Sequence, residues 1–285
     1  MIVITGATGH LGRHVVAELL KKMPASQIVV AVRNPEKAKA DFGGRGVQIR
    51  LADYGKPETL GRALEGATKV LLISSSELGK RTAQHEAVID AAKKAHVSLL
   101  VYTSILGGDS NTMKLAAEHQ ATEALIRKAE LPFTFLRNGW YIENYTERLA
   151  PALEHGVMMG CAGNGRIAAA TRADYAAAAA AVLAGDGHAN KAYELAGDTS
   201  FTMPELAAEV ARVSGKTVAY KDLSVAEYTS VLVGHGLPEV AASVVADADF
   251  GITHGDLDDS SHTLSRLIGR ATTPWKVVVA AALRP

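Results

Sequence analysis

The strand-like run Ile2-Val3-Ile4-Thr5 leads into Gly6-Ala7-Thr8-Gly9-His10-Leu11-Gly12, and a helical pattern begins immediately afterwards. Glycines at this spacing suit one kind of chemistry. They let the chain turn sharply, let backbone approach a diphosphate, and let the helix pack against the strand. Unpaired N–H groups at the helix start then face the phosphates, with the helix dipole helping. A glycine triplet alone is weak evidence, but here it follows a strand and opens a βαβ unit, the context a dinucleotide fingerprint requires. Gly6, Thr8, Gly9, His10, Leu11 and Gly12 are therefore the expected pyrophosphate cradle.

Arg33 ends the second expected strand, where an NAD site usually places a carboxylate for the ribose hydroxyls. Residues 31–34 hold no carboxylate. Arginine suits a 2′-phosphate, which points to NADP(H), although it also fits a solvated strand end. Asp53 follows the third strand and either accepts a hydrogen bond from the adenine amino group or caps the next helix. Ser74, Ser75 and Ser76 end the fourth strand near the expected topological switch point. They either line the ribose and nicotinamide or form a serine-rich turn.

One absence bears on mechanism. Many dehydrogenases of this architecture use a Tyr-x-x-x-Lys pair as proton donor, the lysine lowering the tyrosine pKa. None of the eight tyrosines here has lysine four residues on. Lys114 lies where such a pair would be expected and reads as a remnant or, more simply, a surface lysine. Other chemistries lack their residues. His85-Glu86-Ala87-Val88-Ile89 misses the second histidine of a zinc protease helix, there is no G-x-S-x-G elbow, and the ten histidines show no ligand spacing. The lone Cys161, set among glycines, gives no internal disulfide and no catalytic context. No metal site is expected.

Positioning these residues needs a sheet. Short β-branched runs at 2–5, 28–32, 47–51, 70–73, 99–103 and 133–136 read as six strands. Most are near-continuous apolar runs, as in parallel strands covered on both faces. Helical patterns at 11–22, 35–40, 58–64, 82–95 and 115–129 alternate with them, and Asn34-Pro35 is a cap followed by a first-turn proline. The alternation predicts an α/β fold with a doubly wound parallel sheet. Beyond Asn138 the rhythm loosens. An alanine-dense helix at 174–183 and a strand at 191–195 return to the sheet, and helices are expected at 204–213, 225–233, 238–250 and 260–268. The expected organisation is a nucleotide-binding core at 1–138 with 166–197, and a small, mainly helical lobe from 139–165 and 198–285.

The 285 residues are 48% hydrophobic and 21% charged, an ordinary globular balance, and 30 basic residues cancel 30 acidic ones. A net charge of zero lacks the field that nucleic acid or an anionic membrane would demand. No apolar run approaches the ~20 residues of a membrane span, and the N-terminal segment lacks the features of a signal peptide. A cytoplasmic monomer or homodimer is expected.

Taken together, ITGATGHLG at 4–12, VRNPEKA at 32–38, PFTFLRNGWYIENY at 132–145, TRADYA at 171–176 and FTMPELAAEVARVSGK at 201–216 resemble the NmrA-like, atypical short-chain dehydrogenase/reductase family over nearly the whole chain. Within it, KKMPASQIVVAVRNPEKA at 21–38 and LRNGWYIENY at 136–145 are most similar to the group of NADPH:quinone oxidoreductases and triphenylmethane reductases. The resemblance implies a Rossmann sheet with a small C-terminal lobe and a substrate cleft above the nicotinamide. By position it places Gly6 to Gly12 on the pyrophosphate, Arg33 on the 2′-phosphate, and Ser74 to Ser76 beside the nicotinamide ribose. Asn138, Gly139, Trp140 and Tyr141 would line the nicotinamide and the substrate. Trp140 and Tyr141 make sense from their chemistry too, since aromatic faces stack on planar acceptors, although packing between lobes would use them equally. Asp174 reads as a helix cap, with Arg172 able to reach the cofactor.

The implied activity is hydride transfer from NADPH to a planar electrophile such as a quinone or a triphenylmethane dye. Such acceptors need little proton donation, which fits the missing Tyr-Lys pair. The same absence fits a non-catalytic NADP(H)-sensing regulator. A third reading, an ether or imine reductase, would use Lys114.

Overall fold

The computed structural model describes residues 1–284, which form two compact units: 1–105, 118–138 and 172–193 in the first, and 106–117, 139–171 and 194–284 in the second. The strands are β1 (Ile2–Thr5), β2 (Ile28–Val32), β3 (Gln48–Leu51), β4 (Lys69–Leu72), β5 (Leu99–Ile105), β6 (Phe133–Asn138), β7 (Val157–Gly160), β8 (Lys191–Leu195) and β9 (Ala219–Asp222). Seven of them make one sheet in the order β3-β2-β1-β4-β5-β6-β8. The pairs from β3 through β6 are all parallel, with Ile4 opposite Val30 on one side and Leu71 on the other. Strand order therefore grows outwards from β1 in one direction and from β4 in the other. The reversal between them opens the crevice where such sheets bind ligands, at the carboxyl ends of the strands.

The helices are α1 (His10–Leu20), α2 (Pro35–Phe42), α3 (Leu60–Ala63), α4 (Arg81–Lys94), α5 (Lys114–Lys128), α6 (Glu143–Thr146), α7 (Ala150–His155), α8 (Arg172–Ala184), α9 (Met203–Ser214), α10 (Val225–Gly234), α11 (Glu239–Gly251), α12 (Thr263–Ile268) and α13 (Trp275–Ala282). On one face of the sheet, Val3, Val29, Val70, Leu72, Leu100, Tyr102 and Phe135 meet Leu60 and Leu64 of the α3 region, Val88 and Ile89 of α4, and Ile126 of α5. Helix α8 packs along α1, and its buried Ala176, Ala178, Ala179 and Ala180 let the two approach closely. Asn34 caps α2 as its sequence implies, its side chain accepting from the Lys37 N–H at 2.9 Å with Pro35 in the first turn.

In the second unit β7 and β9 pair in parallel. Helices α9 and α10 open with capping boxes, Thr202 with Glu205 and Ser224 with Glu227.

The sequence-based elements differ from these in places. Strand β3 is an edge strand and largely solvent-exposed rather than covered on both faces. The stretch at 58–64 is a 3-10 turn followed by one turn of α-helix. Helix α8 starts at Arg172, so Asp174 lies inside its first turn, fully buried, instead of capping it. A carboxylate there still faces the positive end of the helix dipole. Helices α6, α7 and α13 and strand β9 were not expected. Each is short, and β9 reads Ala-Tyr-Lys-Asp without an apolar run.

Candidate functional site

The glycine loop joins β1 to α1 at the switch point. Gly6 has a φ of +62°, a left-handed backbone that side chains rarely adopt. Gly12 is required by contact. A Cβ there would lie 2.5 Å from the Gly6 carbonyl oxygen and 2.7 Å from the Ala7 Cα, both backbone atoms that cannot move aside. Gly9 is different. It is the exposed N-cap of α1 in ordinary extended conformation, its N–H donates to the Gly6 carbonyl at 3.0 Å, and it offers no side chain to the first helical turn. An eleven-residue helix thus presents its positive end behind a cap with no acceptor of its own.

Tyr54 braces this loop. Its hydroxyl contacts the Thr5 hydroxyl and donates to the Ile73 carbonyl at 2.9 Å, while Thr5 Oγ1 donates to the Leu71 carbonyl at 2.9 Å. The ends of β1 and β4 and the turn after β3 are thereby tied together. Burial pushes the Tyr54 hydroxyl pKa above its ordinary value, so it stays protonated. Nothing in the sequence signalled this brace, because Tyr54 lies in a turn without periodicity.

The other expected residues of the first unit lie on neighbouring strand ends, with different degrees of availability. Arg33, just past β2, is exposed and pairs with Glu77 at 3.2 Å. Asp53 shapes the turn after β3: its Oδ1 accepts from the Gly55 N–H at 2.9 Å, so it caps a tight turn and not a helix. Of the serines, Ser76 is exposed, and the Ser74 backbone N–H donates to Thr103 Oγ1 at 2.9 Å. Ser75 is a hub, its hydroxyl bonded to Gln84, its N–H donating to His85 Nε2 at 2.9 Å, and its carbonyl accepting from Arg81 Nε at 2.7 Å. The Ser75 hydroxyl is therefore committed to holding the turn, because α4 supplies a partner for each of its polar groups. Leu11 is buried, so its side chain belongs to the core and only its backbone is available to a ligand. Thr8 is half-buried and His10 exposed beside it.

Asn138 ends β6, opposite Ile105, and is buried, yet its Oδ1 has no hydrogen-bond partner. A buried amide oxygen without a donor marks a place where a ligand donor fits.

In the second unit, the Gly139 N–H donates to the Leu195 carbonyl at 2.8 Å, and Tyr141 forms a bridge with Ala170. Trp140 and Tyr141 are both half-buried, and the Trp140 side chain bonds the Tyr145 hydroxyl. Lys114 is exposed and held by Ser243 at 3.0 Å and Asp247 at 3.9 Å, as a surface lysine would be. Cys161 is buried, its thiol pushed up to about 12 by burial and by neighbouring Asp249, which leaves it a poor nucleophile. Among the described residues no three His, Cys, Asp or Glu side chains are grouped to hold a metal ion, and no helix is long and apolar enough to cross a membrane.

Residues 6–186 match the family model described as NAD(P)H-binding. Quinone oxidoreductase 2 of Escherichia coli is 52% identical over 273 residues, covering 96% of this chain and 95% of that protein. The crystal structure of an Escherichia coli NADPH-dependent quinone oxidoreductase complexed with NADPH superposes with a TM-score of 0.97 at 51% identity, over 100% of both chains. The Citrobacter sp. triphenylmethane reductase complexed with NADP(H) gives a TM-score of 0.94 at 40% identity, over 99% of this chain and 100% of that one. The chain belongs to the NAD(P)H-binding family, within the NmrA-like group that its motifs resemble. Its fold is the Rossmann-like sheet expected from the strand–helix alternation.

Proposed function

We propose that this protein is an NADPH-dependent reductase that transfers hydride to a planar electrophile, a quinone or a triphenylmethane-type dye. The observation that carries the cofactor half is the loop geometry: a left-handed Gly6, a Gly12 that tolerates no Cβ, and a helix start with no acceptor of its own. These are the features a bound diphosphate needs. The similarity to Escherichia coli quinone oxidoreductase 2 and to triphenylmethane reductase supports the acceptor class.

The residues present fit the cofactor. In this reading the backbone of residues 6–12 holds the diphosphate, Arg33 binds the 2′-phosphate, and the orphaned Asn138 Oδ1 accepts a hydrogen bond from the nicotinamide end. Ser74 and Ser76 flank the ribose, Ser75 holds their turn in place, and Asp53 shapes the turn beside the adenine. NADPH bound there supplies the hydride. Gly139 shapes the backbone before Trp140 and Tyr141, whose rings give the acceptor a stacking surface, with Trp140 set by its bond to Tyr145. Orientation does most of the work, because a dye cation takes hydride directly and a reduced quinone oxygen is protonated by water. Residues 1–138 with 166–197 would then serve the dinucleotide, and 139–165 with 198–285 the substrate.

The test is oxidation of NADPH by the purified protein with a panel of quinones and triphenylmethane dyes, followed at the cofactor absorbance. Turnover of at least one acceptor class is expected. Cofactor binding without turnover of any acceptor would move the weight to a sensor of NADP(H).

A further inference from the structure

Arg33 follows β2 and Glu77 follows β4, and β1 lies between those two strands in the sheet. Their ion pair, Nη1 to Oε1 at 3.2 Å, therefore spans the end of the strand that feeds the glycine loop. The arginine side chain is 71% exposed and the glutamate 40%, so little besides their mutual attraction fixes the arginine end. The glutamate end is better placed. Its backbone N–H donates to Ser75 Oγ at 3.2 Å, and Ser75 is itself held by Arg81, Gln84 and His85 of α4. A second cation stands on the other side of the same carboxylate, with Lys80 Nζ 4.0 Å from Glu77 Oε2.

We propose that Glu77 is a specificity-determining residue, a carboxylate that occupies Arg33 until the 2′-phosphate of NADPH displaces it towards Lys80. The proposal rests on Arg33 being the 2′-phosphate ligand. A guanidinium presents a limited fork of donors, and two anions pressed onto it repel each other, so carboxylate and phosphate compete for it. The phosphate carries more charge and more acceptor oxygens, and it wins. NADH has no phosphate at that position and leaves the ion pair standing. Glu77 thus lowers affinity for the phosphorylated cofactor alone, which softens the preference that Arg33 creates and eases release of NADP⁺ after turnover. Because exposed ion pairs are weak, the effect is modest.

Titration calorimetry with NADPH and with NADH separates the possibilities, using wild type, Glu77→Gln, Glu77→Asp, Arg33→Ala and the Arg33→Ala/Glu77→Gln double variant. Glu77→Gln is expected to tighten NADPH by about two- to tenfold, the range an exposed charge pair supports, and to leave NADH unchanged. Glu77→Asp keeps the charge but retracts it by one methylene, so it should shift in the same direction. Arg33→Ala should abolish the NADPH preference, and adding Glu77→Gln to it should gain nothing. The role of Glu77 is overturned if Glu77→Gln leaves NADPH binding unchanged or weakens it while Arg33→Ala still removes the preference. It is equally overturned if Glu77→Gln brings the same gain without Arg33. A preference for NADPH that survives Arg33→Ala defeats the underlying reading of Arg33, and the proposal with it.

Discussion

His85 Nε2 accepts the Ser75 backbone N–H at 2.9 Å, while its Nδ1 lies 2.9 Å from Thr122 Oγ1. The Thr122 hydroxyl donates its own proton to the Glu118 carbonyl at 2.8 Å, so it can only accept from the imidazole. Both contacts require one neutral tautomer. Burial and then the Arg81 charge lower the His85 pKa to about 3, and the same causes lower that of His119.

That neutrality sets an acid limit on stability. The unfolded chain protonates His85 near pH 6.5 and the folded chain does not, so its contribution is full above ~6.5 and is lost as pH falls towards about 3, with His119 acting in the same direction. Asp249, raised by burial to about 6, acts oppositely between about 6 and 4, where the folded state holds the extra proton. His85→Asn should therefore lower the slope of unfolding free energy against pH below 6 by ~1.4 kcal/mol per unit, the value for one proton. Urea denaturation at pH 7, 6 and 5 measures it, and a slope equal to that of wild type would show that His85 protonates in the fold.

Two glycines of one loop should fail in different ways. Gly12→Ala drives a methyl into backbone at 2.5 Å, which predicts ~1–3 kcal/mol of destabilisation and lost NADPH binding. Gly9 has a permitted φ of −72°, and its nearest contact is a single oxygen at 3.2 Å, so Gly9→Val should change stability by less than ~1 kcal/mol yet block the cofactor. Denaturation curves and NADPH titrations on both variants check the pair. Normal cofactor binding by Gly9→Val would mean that the diphosphate lies elsewhere.

Tyr141 is expected to act through its ring. Tyr141→Phe should retain most of kcat with a quinone, whereas Tyr141→Ala should raise KM through lost contact area, by the equivalent of ~1–3 kcal/mol. Steady-state kinetics with NADPH decide it. A hundredfold loss of kcat in Tyr141→Phe would make the hydroxyl a proton donor.

Glu123 is fully buried between two arginines, with Arg137 bonding it through Nε at 2.9 Å and Nη2 at 2.7 Å and Arg127 at 3.2 Å. Ser104 adds a fourth bond at 2.6 Å. Removing the carboxylate takes away three charge-assisted bonds to Arg137 and Arg127 in a mostly buried network, so Glu123→Ala should cost ~3–5 kcal/mol, seen as a lower urea midpoint. A loss of unfolding free energy under ~1 kcal/mol would show the network to be dispensable.

Local patterning carried the sheet and the glycine loop into view. Apolar runs placed β1, β2 and β5, Asn34-Pro35 placed the start of α2, and the strand–glycine–helix order placed the glycine loop between β1 and α1. What stayed hidden depends on contacts distant along the chain. Tyr54 meets Thr5 and Ile73 only because β1, β3 and β4 converge, and Glu77 meets Arg33 only because β1 sits between β2 and β4. No spacing rule reaches across such intervals. The committed hydroxyl of Ser75 was hidden for the same reason, since its partners come from α4.

The place of β8 beside β6 bears on synthesis as well. Phe135 and Leu136 of β6 are fully buried once the sheet is complete, but β8 is translated only after α8 has been made. At ~5–20 residues per second, the nascent chain carries an apolar strand with one open edge for about 3–12 s. The protein is most prone to pair wrongly with other chains in that interval. A slow stretch of translation should be tolerated before β6 or after β8, and harmful within α8.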